Sequence, residues 1–305
     1  MYYTAEKPIF QGLPIIGKSF FQKPPSGGIG LVCEYYRFNH EGKQMKQKPC
    51  IRQKTYHCGP MNKKSNYIEV DIFEHTETTR RARKKKELLS PPKQQNLNDK
   101  NSRRYFSLLV KSNFNNGDYH LALTYNDEHR PETIEEAEHF VENYIRRLRT
   151  AYKKAGVNKV EYIFVTEIGK RGKKIHHHVL LKNVGVSRDV IEDCWTRKGI
   201  GFANCRKIQA NEKGIEQLAS YLQKEPAGKK RWKNSKGLIR PWLSVSDDKY
   251  SRRKIDKLAQ LPSDCEAVRE HWERQFPGYV LYECQHYFNQ VTAQWSIYLK
   301  MRLRR

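Results

Sequence analysis

Two strand-like runs separated by six residues constrain this fold more than any other feature of the sequence. Lys159–Ile168 (KVEYIFVTEI) and Ile175–Lys182 (IHHHVLLK) are rich in β-branched and aromatic side chains, and the segment between them, GKRGKK, carries two glycines. Such runs joined by a short Gly-containing turn fold back as an antiparallel hairpin. A hairpin has no crossover helix, so a purely parallel α/β sheet is excluded.

The neighbouring segments alternate in type. Tyr119–Tyr125 (YHLALTY) reads as a strand. Thr133 with Glu136 three residues on forms a capping box. Ile134, Ala137, Phe140, Val141, Tyr144, Leu148 and Ala151 then recur at three and four residues, the stripe of an amphipathic helix that ends at Gly156. Ser187 caps a short helix to about Arg197, Phe202–Gln209 is a strand, and Gly214–Lys224 is a helix. A helix near Cys265–Gln275 and two strand-like runs, YVLYECQHYF and WSIYLKMRLRR, close the chain. The class is α+β, with a mainly antiparallel central sheet flanked by helices.

Upstream of Tyr105 the pattern is weaker. Residues 1–60 are rich in Gly, Pro and Tyr without a sustained period, and Tyr67–Phe73 (YIEVDIF) reads as a strand. The run Arg80–Lys86 (RRARKKK) is followed by Pro91-Pro92 and a polar stretch to Arg104. The expected organisation is an N-terminal extension with a basic linker over 1–100 and a central domain over 101–245. A C-terminal α/β extension over 246–305 packs on the central domain.

Charge narrows the partners. The 305 residues include 58 basic and 33 acidic ones, for a formal net charge of +25. A field that positive draws polyanions, nucleic acid first and an anionic membrane second. The candidate contacts are Arg80, Arg81, Arg83, Lys84, Lys85 and Lys86, with Lys173 and Lys174 of the turn and the cluster Lys229, Lys230, Arg231 and Trp232. A solvated basic face is the competing reading of the same run. No stretch reaches the roughly 18 apolar residues of a membrane span. The start, MYYTAEKPIFQGLP, has no secretory pattern, so a cytoplasmic location with no membrane contact and reduced cysteines is expected. Cys50, His57 and Cys58 lack the paired spacing of a zinc site.

The chemistry concentrates in IHHHVLL. Side chains alternate along a strand, so His176 and His178 share a face and His177 points away. If Ile168 pairs with Ile175, Glu167 stands opposite His176, with Cβ atoms roughly 5 Å apart. Two imidazoles and a carboxylate make an open site for a divalent cation. A slip of one residue would turn Glu167 to the other face, and pairing with nearby lysines is its alternative role. On the later helix, Ile215, Leu218, Ala219 and Leu222 share one side, while Gln217, Tyr221 and Lys224 lie nearly opposite. A phenol, with a usual pKa near 10, becomes an effective nucleophile beside a metal or a cation.

A strand like LALTY, then HxH on a strand, then Tyr-x-x-Lys on a helix resembles the three motifs of His-hydrophobic-His (HUH) rolling-circle replication initiators. The likeness runs from about Arg103 to Trp242 and is nearest to proteins of filamentous phages, microviruses and Gram-positive prophages or plasmids. The resemblance implies an HUH-endonuclease-like sheet in the central domain. It implies that His176 and His178, with Glu167 as third ligand, bind Mg²⁺ or Mn²⁺. It implies that Tyr221 attacks a phosphate of single-stranded origin DNA and stays joined to the 5′ end, with Lys224 beside it. A polymerase would extend the freed 3′ hydroxyl. No Walker-type motif is present, so a host helicase is the expected unwinding partner.

Two positions depart from the family pattern. His177 occupies a place where the family prefers a bulky apolar residue. Gln217 stands where microvirus-type initiators carry a second tyrosine, which implies a one-tyrosine enzyme. A plasmid-mobilisation relaxase, with an early tyrosine such as Tyr2, Tyr3, Tyr35 or Tyr36, and a single-strand transposase are rivals within the fold. A non-catalytic single-strand nucleic-acid-binding protein is the rival outside it, with an RNA-binding regulator a further one. Replacing Arg80, Arg81, Arg83, Lys84, Lys85 and Lys86 with glutamine should weaken single-strand DNA binding for every sequence and flatten the dependence of log affinity on log salt. Titrations at several salt concentrations check this, and an unchanged slope would make the run a linker.

Overall fold

A computed structural model of the chain describes residues 36–38, 44–46, 49–75, 92–169, 174–209, 215–223, 227, 230–290 and 292–304. The chain divides into two compact units, Met1–Cys50 with His75–Arg81, and Ile51–Glu74 with Ala82–Arg305. The first contains an antiparallel pair, β1 (Tyr36–Phe38) and β2 (Gln44–Lys46), with Tyr36 opposite Lys46.

The second unit holds the other described elements, save the end residues Cys50 and His75. They begin with β3 (Cys50–Cys58), β4 (Tyr67–His75), α1 (Pro92–Asn113), β5 (Tyr119–Leu123) and α2 (Ile134–Lys154). The hairpin strands β6 (Tyr162–Ile168) and β7 (Ile175–Leu181) follow, then α3 (Arg188–Thr196), β8 (Ala203–Lys207), α4 (Glu216–Tyr221) and β9 (Lys233–Asn234). The chain ends with β10 (Trp242–Ser246), α5 (Arg252–Ala259), α6 (Glu266–Gln275), β11 (Tyr279–Asn289) and β12 (Gln294–Leu303).

The hairpin seeds a five-stranded antiparallel sheet in the order β8-β5-β7-β6-β9. One face carries Leu121, Leu123, Phe164, Val179 and Leu181, which pack on Val141, Tyr144 and Leu148 of α2 and on Ile191 and Trp195 of α3. The other carries Ile163, Val165 and Leu180, packed on Phe106, Leu109 and Val110 of α1 and on Ala219 and Leu222 at α4. The expected caps form: the Thr133 side chain accepts from the Glu136 N–H, and Ser187 from the Val190 N–H. The return contact of the first box differs by one residue, because the Glu136 carboxylate accepts from the Glu132 N–H.

A second five-stranded sheet, in the order β10-β3-β4-β12-β11, joins the two ends of the chain. β4 pairs with β12 so that Val70 faces Leu299 and Glu69 faces Lys300. The boundaries expected at 100 and 245 therefore fall inside α1 and β10, and strands from both flanking segments build one sheet. One face of it, with Ile68, Val70, Ile72, Leu299 and Met301, is covered by Ile255 and Leu258 of α5 and by Val268 and Trp272 of α6. Three elements were not legible in the sequence. α1 begins within the stretch expected as a linker: its first half is polar, and its buried side chains start only at Phe106. Pro92 suits the first helical position, where its missing N–H has no partner to lose. β10 leaves Leu243 and Val245 exposed, and α5 is short.

The opposite face of the second sheet is polar and lies against α1. Arg104 donates from Nε to Glu69 (2.8 Å) and from Nη1 to Asp71 (2.6 Å), and stacks over Tyr56, 4.0 Å from the ring centre. A bulge between Leu281 and Glu283 re-aims Tyr282, whose hydroxyl donates to Glu216 at 2.8 Å. Lys111 lies 3.3 Å from the same carboxylate and Lys300 bonds its other oxygen. Glu216, in the first turn of α4, thus ties that helix to α1, β11 and β12. Burial alone would raise the Glu216 carboxyl, but Lys111 together with hydrogen bonds from Lys300 and Tyr282 outweighs it and holds the pKa at about 2, from the usual 4.5. A carboxyl depressed in the folded state contributes stability that is complete above the unfolded value and lost as pH falls through the folded one. Urea midpoints at about pH 6 and pH 3 should therefore fall less for Glu216→Gln than for the wild type. Equal falls would remove Glu216 from the acid limb.

Candidate active site

The pairing of β6 with β7 places Ile168 opposite Ile175, Glu167 opposite His176, and Thr166 opposite His177. Period-two alternation then sorts three consecutive histidines between two faces. His176 and His178 emerge on the face covered by α1 and α4. His177, fully buried, emerges on the face covered by α2 and α3.

On the first face the three expected ligands converge. Nε2 of His176 and Nε2 of His178 lie 3.7 and 3.8 Å from the same carboxylate oxygen, Oε2 of Glu167. Their ligand atoms all fall within 4.8 Å of one another. These spacings are too long for direct hydrogen bonds and short enough for one ion to meet all three. His120, on β5, reinforces the arrangement: its Nε2 lies 3.2 Å from Nδ1 of His178. With Nδ1 so engaged, the buried Nε2 of His178 has no hydrogen-bond partner and is turned toward Glu167 and His176. Burial, with His120 and His176 beside it, pushes the His178 pKa down to about 3, which leaves the imidazole neutral with a lone pair to donate. A neutral imidazole held through its second nitrogen is the usual form of a ligating histidine. The residues present therefore fit a divalent cation. His120 escaped the sequence reading because only the pairing of β5 with β7, with Ala122 opposite His178, brings it across.

His177 has a different task. Its Nε2 lies 2.7 Å from the Tyr125 hydroxyl, which donates at 3.1 Å to the Ala137 carbonyl. The tyrosine's single proton is thereby spent, so His177 Nε2–H donates to it and Nδ1 accepts from the Thr166 hydroxyl at 2.9 Å. Burial, then His176 and His178, hold its pKa at about 3. The polar middle residue is accommodated because all of its hydrogen-bonding groups are matched inside the core.

The nucleophile expected from the sequence stands at the same face. Ile215, Ala219 and Leu222 are buried, whereas Tyr221 is 51% exposed, and its ring centre lies 5.3 Å from that of His178. The helix is shorter than the expected Gly214–Lys224 span. Lys224 lies outside the described residues, as do Arg80, Arg81, Arg83, Lys84, Lys85, Lys86, Lys173 and Lys229. Lys174 is exposed and 3.5 Å from Asp127, and Lys230 is exposed. Arg231 is paired with Asp99, and Trp232 packs on Phe106 and Tyr105 of α1, so both are engaged within the fold. Cys50, His57 and Cys58 do not converge. Cys58 donates to the Leu108 carbonyl, Cys50 to that of His75, and His57 stacks on Trp242 with ring centres 3.7 Å apart. No helix among the described residues is long and apolar enough to cross a membrane.

Residues 118–226 match the ORF2-type family of replication-associated proteins, a stretch of just over a third of the chain that runs from the start of β5 past α4. The match supports a replication-initiator role. No curated protein and no solved structure matches the chain.

Thr166→Val keeps the shape of the core but leaves Nδ1 of the buried His177 without its donor. It should lower unfolding stability by about 1–3 kcal/mol, measured by urea denaturation at neutral pH. An unchanged midpoint would show that His177 does not need Thr166.

Proposed function

We propose that the chain is a metal-dependent single-strand DNA nickase and ligase that opens a replication origin through a 5′-phosphotyrosine intermediate. The observation that carries this reading is the half-exposed Tyr221 ring 5.3 Å from His178, beside the converging His176, His178 and Glu167. The match of residues 118–226 to a replication-associated family supports it.

His176 and His178 through Nε2, and Glu167 through Oε2, would hold Mg²⁺ or Mn²⁺. A bound ion there supplies Lewis-acid stabilisation of charge on the scissile phosphate. His120 keeps the His178 ring oriented. Tyr221 presents its hydroxyl on the solvent side of α4, where a single strand can reach it. In the proposed step the Tyr221 oxygen bonds to phosphorus, its proton leaves to solvent, the P–O3′ bond breaks, and the 3′ oxygen takes up a proton. The energy of the phosphodiester is retained in the tyrosyl ester, so the reverse step can rejoin an end. Lys224 is assigned to balancing charge on the attacked phosphate. Host helicase and polymerase are the partners this role requires.

Incubation with single-stranded DNA and Mn²⁺ should yield a covalent protein–DNA adduct, seen as a shifted band under denaturing conditions. Tyr221→Phe should abolish the adduct while changing DNA affinity by less than about threefold, since the lost hydroxyl contributes to the transition state rather than to binding. EDTA should suppress adduct formation. Adduct from Tyr221→Phe would assign the nucleophile elsewhere, and cleavage indifferent to EDTA would remove the metal. Binding without any adduct, at every sequence tried, would favour the non-catalytic reading.

A further inference from the structure

Beside the tyrosine helix lies a cavity of about 590 Å³. Of its wall, only Glu216 and Ser220 fall within residues 118–226; the rest comes from α1 and from the polar face of the second sheet. Ser220 immediately precedes Tyr221, so the cavity adjoins the segment that carries the proposed nucleophile. Its volume falls in the range of small-molecule sites, and suits a nucleobase with its sugar.

The wall indicates what it would hold. Lys100, Arg103, Arg104 and Ser107 recur at i, i+3, i+4 and i+7, so one stripe of α1 lines the space. Lys100 and Arg103 are exposed, and neither is ion-paired within the described residues; both are suited to phosphates. Deeper in, Arg104 is clamped by Glu69 and Asp71 at 2.8 and 2.6 Å. A groove that tracks only the backbone needs cations alone. Carboxylates and hydroxyls set beside a fixed guanidinium instead offer acceptors and donors together, which is what the edge of a base requires. Tyr287, 53% exposed, and Tyr298 add aromatic faces on which a base can stack.

We propose that this cavity is a base-recognition site for one nucleotide of the single strand that Tyr221 cuts, with Lys100 and Arg103 on the adjoining phosphates. The choice of DNA as ligand rests on the nickase reading. On this assignment the second sheet selects sequence while the first carries out the chemistry.

Fluorescence anisotropy with labelled homopolymers of dT, dC and dA, about twenty nucleotides long, tests the site at one fixed salt concentration. The measurements use Tyr221→Phe protein, so that strand cutting does not enter. The affinities for the best and worst homopolymer should differ by about tenfold, the scale of a single base contact. Adding Ser296→Phe, which fills the cavity from β12, should compress that ratio to within about threefold. Lys100→Ala with Arg103→Ala should weaken all three homopolymers alike. Equal affinities before the cavity is filled, or a ratio that survives Ser296→Phe, overturn the proposal. Should circular dichroism show Ser296→Phe unfolded, Ser107→Phe fills the same space from α1 and is read the same way. Adduct formation by the wild type is scored separately. No adduct with a collapsed ratio sinks the nickase and leaves the base site standing, and adduct with an unchanged ratio does the reverse.

Discussion

The register of β6 against β7 is the constraint on which the candidate site depends. Because side chains alternate along a strand, one residue of slip would exchange the two faces of the ladder. It would bury His176 and His178 against α2 and α3, turn His177 outward, and carry Glu167 away from both. The observed pairing of Glu167 with His176 instead puts two imidazoles and a carboxylate on one face. The buried Thr166–His177–Tyr125–Ala137 chain of hydrogen bonds makes the slipped register costly, since each of its groups would lose a partner inside the core. His177, the residue least expected between two ligands, is thus part of what holds the ligands in place.

The same hairpin leaves a face that other elements must cover, and α1 with α4 covers it. α1 lies between two sheets and meets them differently. Toward the first sheet it offers Phe106, Leu109 and Val110. Toward the second it offers Arg104 and Lys111, answered by Glu69, Asp71 and Glu216. Ionic groups in such a place stabilise only when each charge is matched with good geometry, because losing one partner strands the other in a poor solvent. The network is therefore directional. It fixes where α4 begins, and Tyr221 follows from Glu216 by helical geometry.

How much of this was legible in the sequence differs by element. The hairpin, the stripe of α2 and the caps at Thr133 and Ser187 rest on local periodicity and local hydrogen bonds, and the structure has them. Tyr221 on the polar side of its helix was legible for the same reason. α1 was hidden because a helix whose first half is polar carries no periodic signal there. β10 was hidden because an exposed edge strand need not alternate. His120 and Glu216 gave no signal at all: each matters through partners on other elements, His178 in one case, Lys111, Tyr282 and Lys300 in the other.

By itself, then, the sequence determined the α+β class, the hairpin and the set Glu167, His176, His178 and Tyr221, because alternation and helical repeat act over a few residues. Only the tertiary structure decided that the two ends of the chain share a second sheet and that His177 belongs to the core. It also decided that a polar cavity opens beside the tyrosine helix. These depend on contacts between segments far apart in the chain, such as Glu69 with Lys300 and Lys111 with Glu216. Pairings of that kind are selected by the closure of the whole fold, and no local pattern encodes them.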